Sequence, residues 1–174
     1  MNKIFVETLK NIIEENDFMK GLAYDNENVY FCYKGYYLIK FDTEMYKNLY
    51  ESKLPFLVGK YNEEKLNTIK NVIKTVNKLK GFNKINLPTK KDIVDSINRF
   101  EKRNESYQPY VMLDYEHIVN AYYLKQLIIL LGGDINIKAT KKNIEPIMIK
   151  GKNGVAVLSC VRLTEQTIRK LFGV

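Results

Sequence analysis

Twice in this chain a helical period runs into three short β-rich segments separated by turn residues, and that order narrows the folds open to it. Near the start, Ile4, Phe5, Leu9, Ile12 and Ile13 share one helical stripe, while Lys3, Glu7, Lys10 and Glu14 lie on another. Three runs follow, GLAYD, NVYFCYK and YYLIKFD, divided by Asp25-Asn26-Glu27-Asn28 and by Lys34-Gly35. Runs this short, rich in aromatic and β-branched residues with turn chemistry between them, predict an antiparallel meander.

The last third repeats the outline. YVMLDYE predicts a strand, and Ile118 to Leu131 a strongly apolar helix. DINIKAT, EPIMIKG and GVAVLSCVRL then predict three strands, turning at Lys141-Lys142-Asn143 and at Lys152-Asn153-Gly154. Residue identity between the two halves is slight, so the duplication is one of element order.

Between them the pattern changes. A short helical piece around Thr43 to Ser52 leads to a loop holding Pro55 and Gly59. Over residues 62–80, Leu66, Ile69, Val72, Ile73, Val76 and Leu79 fall on one face of a helix, and Lys70, Lys74 and Lys78 on the other. Asn62 with Glu63 and Glu64 suits its start, since carboxylates favour the positive end of the macrodipole, and Gly81 suits its stop. A further helix opens at Thr89, whose hydroxyl can cap with Asp92 at the capping-box position. It is expected to bury Ile93, Val94, Ile97 and Phe100 and to end near Arg103-Asn104.

The reading is an α+β domain over residues 1–174: a first unit at 1–42, a helical insertion at 43–105, a second unit at 107–163 and a tail at 164–174. With 45% apolar and 12% aromatic residues, a chain of this length can bury a sizeable core, which excludes a disordered protein. Met1 to Asn16 has charges spread through it and no long apolar run occurs anywhere, so no membrane span is expected and the location reads as cytoplasmic.

The net charge of +8 is uneven. Residues 59–105 carry 12 basic and 6 acidic side chains and residues 133–174 carry 8 and 3, whereas residues 1–58 carry 7 and 9. Positive charge gathered in the middle and at the end suggests a polyanionic partner, although a solvated helix face also explains the lysines of 62–80.

Chemistry finds little to work with. P-loop, GxSxG, HExxH, CxxC and paired-carboxylate signatures are absent. The lone histidine, His117, has no ligand cluster at metal spacing, and it reads as a solvent-facing or hydrogen-bonded residue at a strand end. Asp114 and Glu116 flank it, so a carboxylate–imidazole pair is conceivable, yet a polar strand edge accounts for them equally. Cys32 and Cys160 each sit in an apolar run and read as small hydrophobes. No catalytic residue, metal or cofactor is expected.

The closing stretch NIEPIMIKGKNGVAVLSCVRL resembles the final strands of bacterial DNA polymerase III β subunits, the sliding clamps, with Val161-Arg162-Leu163 matching the family's ending and Ser159-Cys160 standing where that family has Met-Pro. YYLKQLIILLGGDINIKAT resembles the clamp's Tyr-Leu-containing helix and the strand after it. At the front, GLAYDNENVYFCYKGYYLIKF is similar to a clamp strand, turn and strand of which Gly35 and Leu38 survive. The resemblance covers roughly residues 1–42 and 107–163. It implies two outer sheets with one helix from each unit beneath them, no enzymatic activity, and DNA and replication proteins as partners. A clamp ring needs six such domains and this chain supplies one.

Clamp helices that face DNA carry lysine and arginine. Here the first helix mixes Lys3 and Lys10 with Glu7 and Glu14, and the second offers Lys125 almost alone. A monomer or dimer is therefore expected over a hexameric ring. Contact with DNA would fall to Lys70, Lys74 and Lys78 of the insertion and to Lys141 and Lys142 of the C-terminal turns, with Lys3, Lys10 and Lys125 as lesser candidates. The tail TEQTIRKLFGV starts with a capping Thr164 and sets Ile168, Leu171 and Phe172 on one face. Its Gln166, Ile168 and Leu171-Phe172 resemble the Gln-x-Leu-x-Leu-Phe peptides that dock in clamps, with a spacing one residue longer. Val161, Arg162, Leu163, Leu171 and Phe172 are the partner-binding candidates, whether the tail docks on its own chain or another. A protein–protein module or decoy that binds replication proteins without touching DNA is the alternative, and the compact lysine-rich composition suits a mobile element.

Overall fold

A computed structural model describes residues 3–14, 20–24, 28–33, 36–42, 44, 63–78, 83–103 and 108–173. The element order is α1 (Lys3–Glu14), β1 (Lys20–Tyr24), β2 (Val29–Tyr33), β3 (Tyr37–Phe41), α2 (Glu63–Lys78), β4 (Asn83–Ile85), α3 (Lys90–Arg103), β5 (Tyr110–Met112), a 3-10 turn (Asp114–Glu116), β6 (Ile118–Asn120), α4 (Ala121–Leu130), β7 (Ile135–Ala139), β8 (Ile147–Gly151), β9 (Gly154–Leu158) and α5 (Glu165–Phe172). The expected short helix at 43–52, the loop with Pro55 and Gly59, and the Gly81 stop lie outside the described residues apart from Glu44.

Both predicted meanders form, β1-β2-β3 and β7-β8-β9, and their last strands pair antiparallel with Tyr37 opposite Leu158 and Phe41 opposite Gly154. The result is one seven-stranded antiparallel sheet in the order β1-β2-β3-β9-β8-β7-β4. A single sheet spanning both units replaces the expected two, because the β3–β9 seam satisfies strand edges that separate sheets would leave open.

Alternation along the strands sends Val29, Phe31, Ile39, Phe41, Ile137, Ile149 and Ala156 to one face. There α1 contributes Phe5, Leu9 and Ile12, and α4 contributes Ala121, Leu124, Leu127 and Leu130, all buried. The two helices lie side by side against the sheet, with Phe5 meeting Phe41 edge-to-face at 6.1 Å. Ile4, expected on the buried stripe of α1, is 55% exposed.

The insertion also departs from its purely helical reading. Residues 83–85 form β4, which pairs with β7 through Ile85 and Ile137 and becomes the seventh strand. Three residues, of which only Ile85 is buried, carry too little pattern to be read as a strand without their partner. The Thr89 capping box forms as expected: the Thr89 hydroxyl accepts from the Asp92 amide at 3.1 Å, and Asp92 Oδ2 accepts from the Thr89 amide at 2.9 Å. The Thr89 hydroxyl also donates to Asp92 Oδ2 at 2.7 Å, and that bond foremost, with the one from the Thr89 amide, holds the Asp92 carboxyl below its usual range. Ile93 and Ile97 are buried, but Val94 is exposed and Ser96 takes the buried position, donating to the Tyr110 carbonyl at 2.6 Å.

The α4 helix starts later than the apolar run suggested. Ile118 to Asn120 pair with β5 as a two-stranded ribbon, and the helix begins at Ala121. Asn120 is the cap: its side-chain oxygen accepts from the amides of Tyr122 at 2.9 Å and Tyr123 at 3.3 Å. At 4% exposure this cap has little water to replace it. Asn120→Ala is expected to cost about 1–2 kcal/mol, with Asn120→Asp losing less because it keeps the acceptor. Urea denaturation followed by circular dichroism measures both.

Candidate nucleic-acid interface

The sheet has a second face, pointing away from α1 and α4. Over β2 and β3 it is covered by α2, whose Ile69 and Ile73 pack on Tyr30 and Leu38 beside Cys32. Val72, expected on this apolar stripe, points outward at 43% exposure. Lys70 is half-buried and its Nζ lies 5.9 Å from the centre of the Tyr30 ring, a cation–π distance. Lys74 and Lys78 are exposed. Lys74 and Lys78 therefore lie on the exposed side of the covering helix, whereas Lys70, expected beside them opposite the apolar stripe, reaches back over the sheet.

Beside α2, the outer face from β3 across β9, β8 and β7 to β4 carries a second set of lysines that the sequence reading did not assign. Register puts Lys84 opposite Lys138, and Lys138 opposite Met148. In the adjacent row Asn136 faces Lys150, Lys150 faces Val155, and Val155 faces Lys40, which neighbours Tyr30. Lys84, Lys138 and Lys150 are exposed and Lys40 is half-buried. Among the described residues none of these four is ion-paired with a carboxylate. Strand spacing makes the field from Lys84 to Lys40 about 20 Å wide.

The remaining predicted lysines do not join it. Lys3 sits on the helix pair, on the other side of the sheet, and pairs with Glu7 at 3.7 Å. Lys125 is exposed on α4 and stands apart. Lys10 is within α1, and its side chain lies outside the described residues. Lys142 pairs with Glu145 at 3.2 Å at the β7–β8 loop, where Thr140 donates to Glu145 at 2.6 Å and lowers its carboxyl pKa. Lys141 is exposed beside it. The expected DNA-contact set is thus split over three places.

Alternation in DINIKAT and IMIKG already sets Lys138 and Lys150 apart from the apolar positions. What no single sequence shows is the register, which brings Lys84, Lys138, Lys150 and Lys40 together across five strands.

The partner-binding candidates belong to a different region. Strand β9 ends at Leu158, short of the expected Leu163, and the chain then crosses to the ribbon, where the Val161 amide donates to the Ile118 carbonyl at 2.8 Å. Arg162 is exposed, and Leu163 and Leu171 are half-buried. Thr164 caps α5 by accepting from the Thr167 amide at 3.3 Å, and Gly173 ends it in the left-handed region. Half-buried Phe172 lines an open cleft of about 590 Å³ with Ser96, Arg99, Tyr110 and Met112. The tail helix thus rests on its own chain.

Histidine chemistry loses its geometry here. Of the two expectations for His117, solvent-facing or hydrogen-bonded at a strand end, the structure has the second: the ring is fully buried, with Nδ1 3.0 Å from the Asp114 carbonyl oxygen. The Asp114 carboxylate instead accepts from the Asn86 backbone and side-chain nitrogens at 2.9 and 3.0 Å, so it does not orient the imidazole. Glu116 is exposed, in the left-handed region at φ 59°. Cys32 and Cys160 are both free thiols, and burial pushes Cys160 up to about 12. Among the described residues no group of acidic, His or Cys side chains could hold a metal, and no helix is long and apolar enough to cross a membrane.

Compared with known proteins, the chain matches no protein family, no curated protein and no solved structure. The class that fold and site define is a mixed α+β protein built on an antiparallel sheet, with the α1–α4 pair on one face and, on the other, helix α2 beside a lysine field.

Proposed function

We propose that this is a non-enzymatic protein that binds the phosphate backbone of nucleic acid, in the setting of DNA replication that its resemblance to a sliding-clamp domain implies. The observation that carries it is the grouping of lysines on one side of the sheet: Lys74 and Lys78 on α2 and Lys84, Lys138 and Lys150 on the strands are exposed. The helix pair of a clamp would face DNA, but here it presents Lys125 and an ion-paired Lys3. A ring of clamp type is accordingly a poor fit, and the working unit is a monomer or dimer. Light scattering on a size-exclusion column separates that from a hexamer of six 20.4 kDa chains.

Phosphate contacts release counterions, so affinity for duplex DNA is expected to fall as a power of salt with an exponent of about −0.9 for each neutralised phosphate. With four or more contacts, raising salt from 50 to 200 mM costs on the order of 100-fold. Fluorescence anisotropy measures it. Absence of binding at 50 mM salt would exclude this reading, and retained binding to a replication protein would leave the protein-interaction alternative, including a decoy role for the tail.

A further inference from the structure

We infer that the docking surface for the nucleic-acid backbone is the open floor of the sheet, centred on Lys84, Lys138 and Lys150, and not the lysine stripe of α2 or the face of the helix pair. The inference rests on the backbone-binding reading and assigns it a surface.

Three observations carry it. First, Lys84 and Lys138 are direct cross-strand partners, an arrangement in which like charges repel and cost stability. Among the described residues no carboxylate relieves them. Lysine on a sheet edge can serve to block strand pairing, which would explain Lys84 on β4. It does not explain Lys138 or Lys150, which lie on interior strands with both edges paired.

Second, the floor offers charge with little else. Its exposed residues at these rows are lysines and Asn136, with Met148 and Val155 half-buried between them. Tyr30 is 5% exposed beneath α2, so among the described residues no aromatic ring projects from the floor. A protein interface draws its affinity from aromatic and arginine anchors, and among the described residues the floor presents neither. Point-charge ammonium groups without bidentate donors suit phosphates contacted without base readout.

Third, the shape fits a polymer. Lys138 and Lys150 lie on a diagonal about 8 Å apart, and Lys150 and Lys40 two strands apart at about 10 Å. A continuous backbone carries charges at closer intervals than these, so each lysine can find a phosphate without a fixed register. α2, rising on the same face with Lys70 above Tyr30, borders the floor on one side.

The test compares three charge-matched triple variants by anisotropy against a short duplex and a single strand, with circular dichroism as the check on folding. Lys84→Gln/Lys138→Gln/Lys150→Gln is expected to weaken binding on the order of 100-fold near 0.1 M salt and to reduce the salt exponent by about 2.7 for duplex or about 2.1 for single strands. Which of the two exponents appears tells the two backbones apart. Lys90→Gln/Lys91→Gln/Lys102→Gln, on exposed positions of α3, is expected to change the exponent little. If Lys70→Gln/Lys74→Gln/Lys78→Gln instead removes the binding while the floor variant keeps it, the inference falls and the backbone-binding reading stands. If the wild-type chain binds neither nucleic acid but does bind poly-glutamate, both fall.

Discussion

Gly154→Ala is expected to cost about 3 kcal/mol or more and to leave much of the chain unfolded at temperatures where the wild type is folded. Gly154 opens β9 with φ 147°, a conformation that side-chain-bearing residues rarely adopt. A Cβ built there would lie 2.1 Å from the Lys40 carbonyl oxygen and 3.0 Å from the Phe41 Cα. Both obstructing atoms are backbone, so no side chain can swing aside. Relief requires β9 to move off β3, and that seam alone joins the two meanders into one sheet. Gly133→Ala makes the control: its φ is 92° but nothing lies within 4 Å, so only backbone strain of about 1 kcal/mol is expected. Urea midpoints for the pair separate the two costs, and equal losses would mean that the seam is not packed in this way.

Leu127→Ala carries the second large effect, about 3–4 kcal/mol. The residue is wholly buried on α4, in the core that α1, α4 and the sheet share. Removing three carbons at a fully buried position loses their transfer free energy and leaves a cavity in the core. Against a total stability of about 5–15 kcal/mol for an ordinary domain, that is a large fraction. Ile4→Ala, at a 55% exposed position of α1, is expected to stay within about 0.5 kcal/mol. Chemical denaturation of both variants checks whether the helix pair is core or periphery.

Local signals were legible where one element sufficed to express them. The Thr89–Asp92 box, the stripe of Phe5, Leu9 and Ile12, the Thr164 cap and the six strands of the two meanders all follow from short-range rules. Failures came where a partner decides. Val72 and Val94 are apolar residues at the margin of a helical stripe, and the neighbouring elements leave them exposed. Strand β4 has only three residues and exists through its pairing with β7, while Ile118 to Asn120 join a ribbon because β5 lies alongside.

The candidate site shows the same division. Lys70, Lys74 and Lys78 could be named from helical spacing, and the structure keeps them on one helix. Lys84, Lys138, Lys150 and Lys40 come from strands far apart in sequence, and register alone makes them neighbours. His117 invited a functional reading from its flanking carboxylates, but the Asp114 carboxylate is taken up by Asn86 and the ring is inside the protein.

The lysine field and the α1–α4 helix pair are therefore separated by the thickness of the sheet, the reverse of a clamp whose helices meet DNA. Amine-reactive labelling of lysines, read by mass spectrometry with and without a short duplex at low salt, tests that separation most directly. The account predicts protection at Lys84, Lys138 and Lys150, with unchanged reactivity at Lys3 and Lys125 on the helix pair. Protection of Lys3 and Lys125, with the three sheet lysines as reactive as in the free protein, would contradict it.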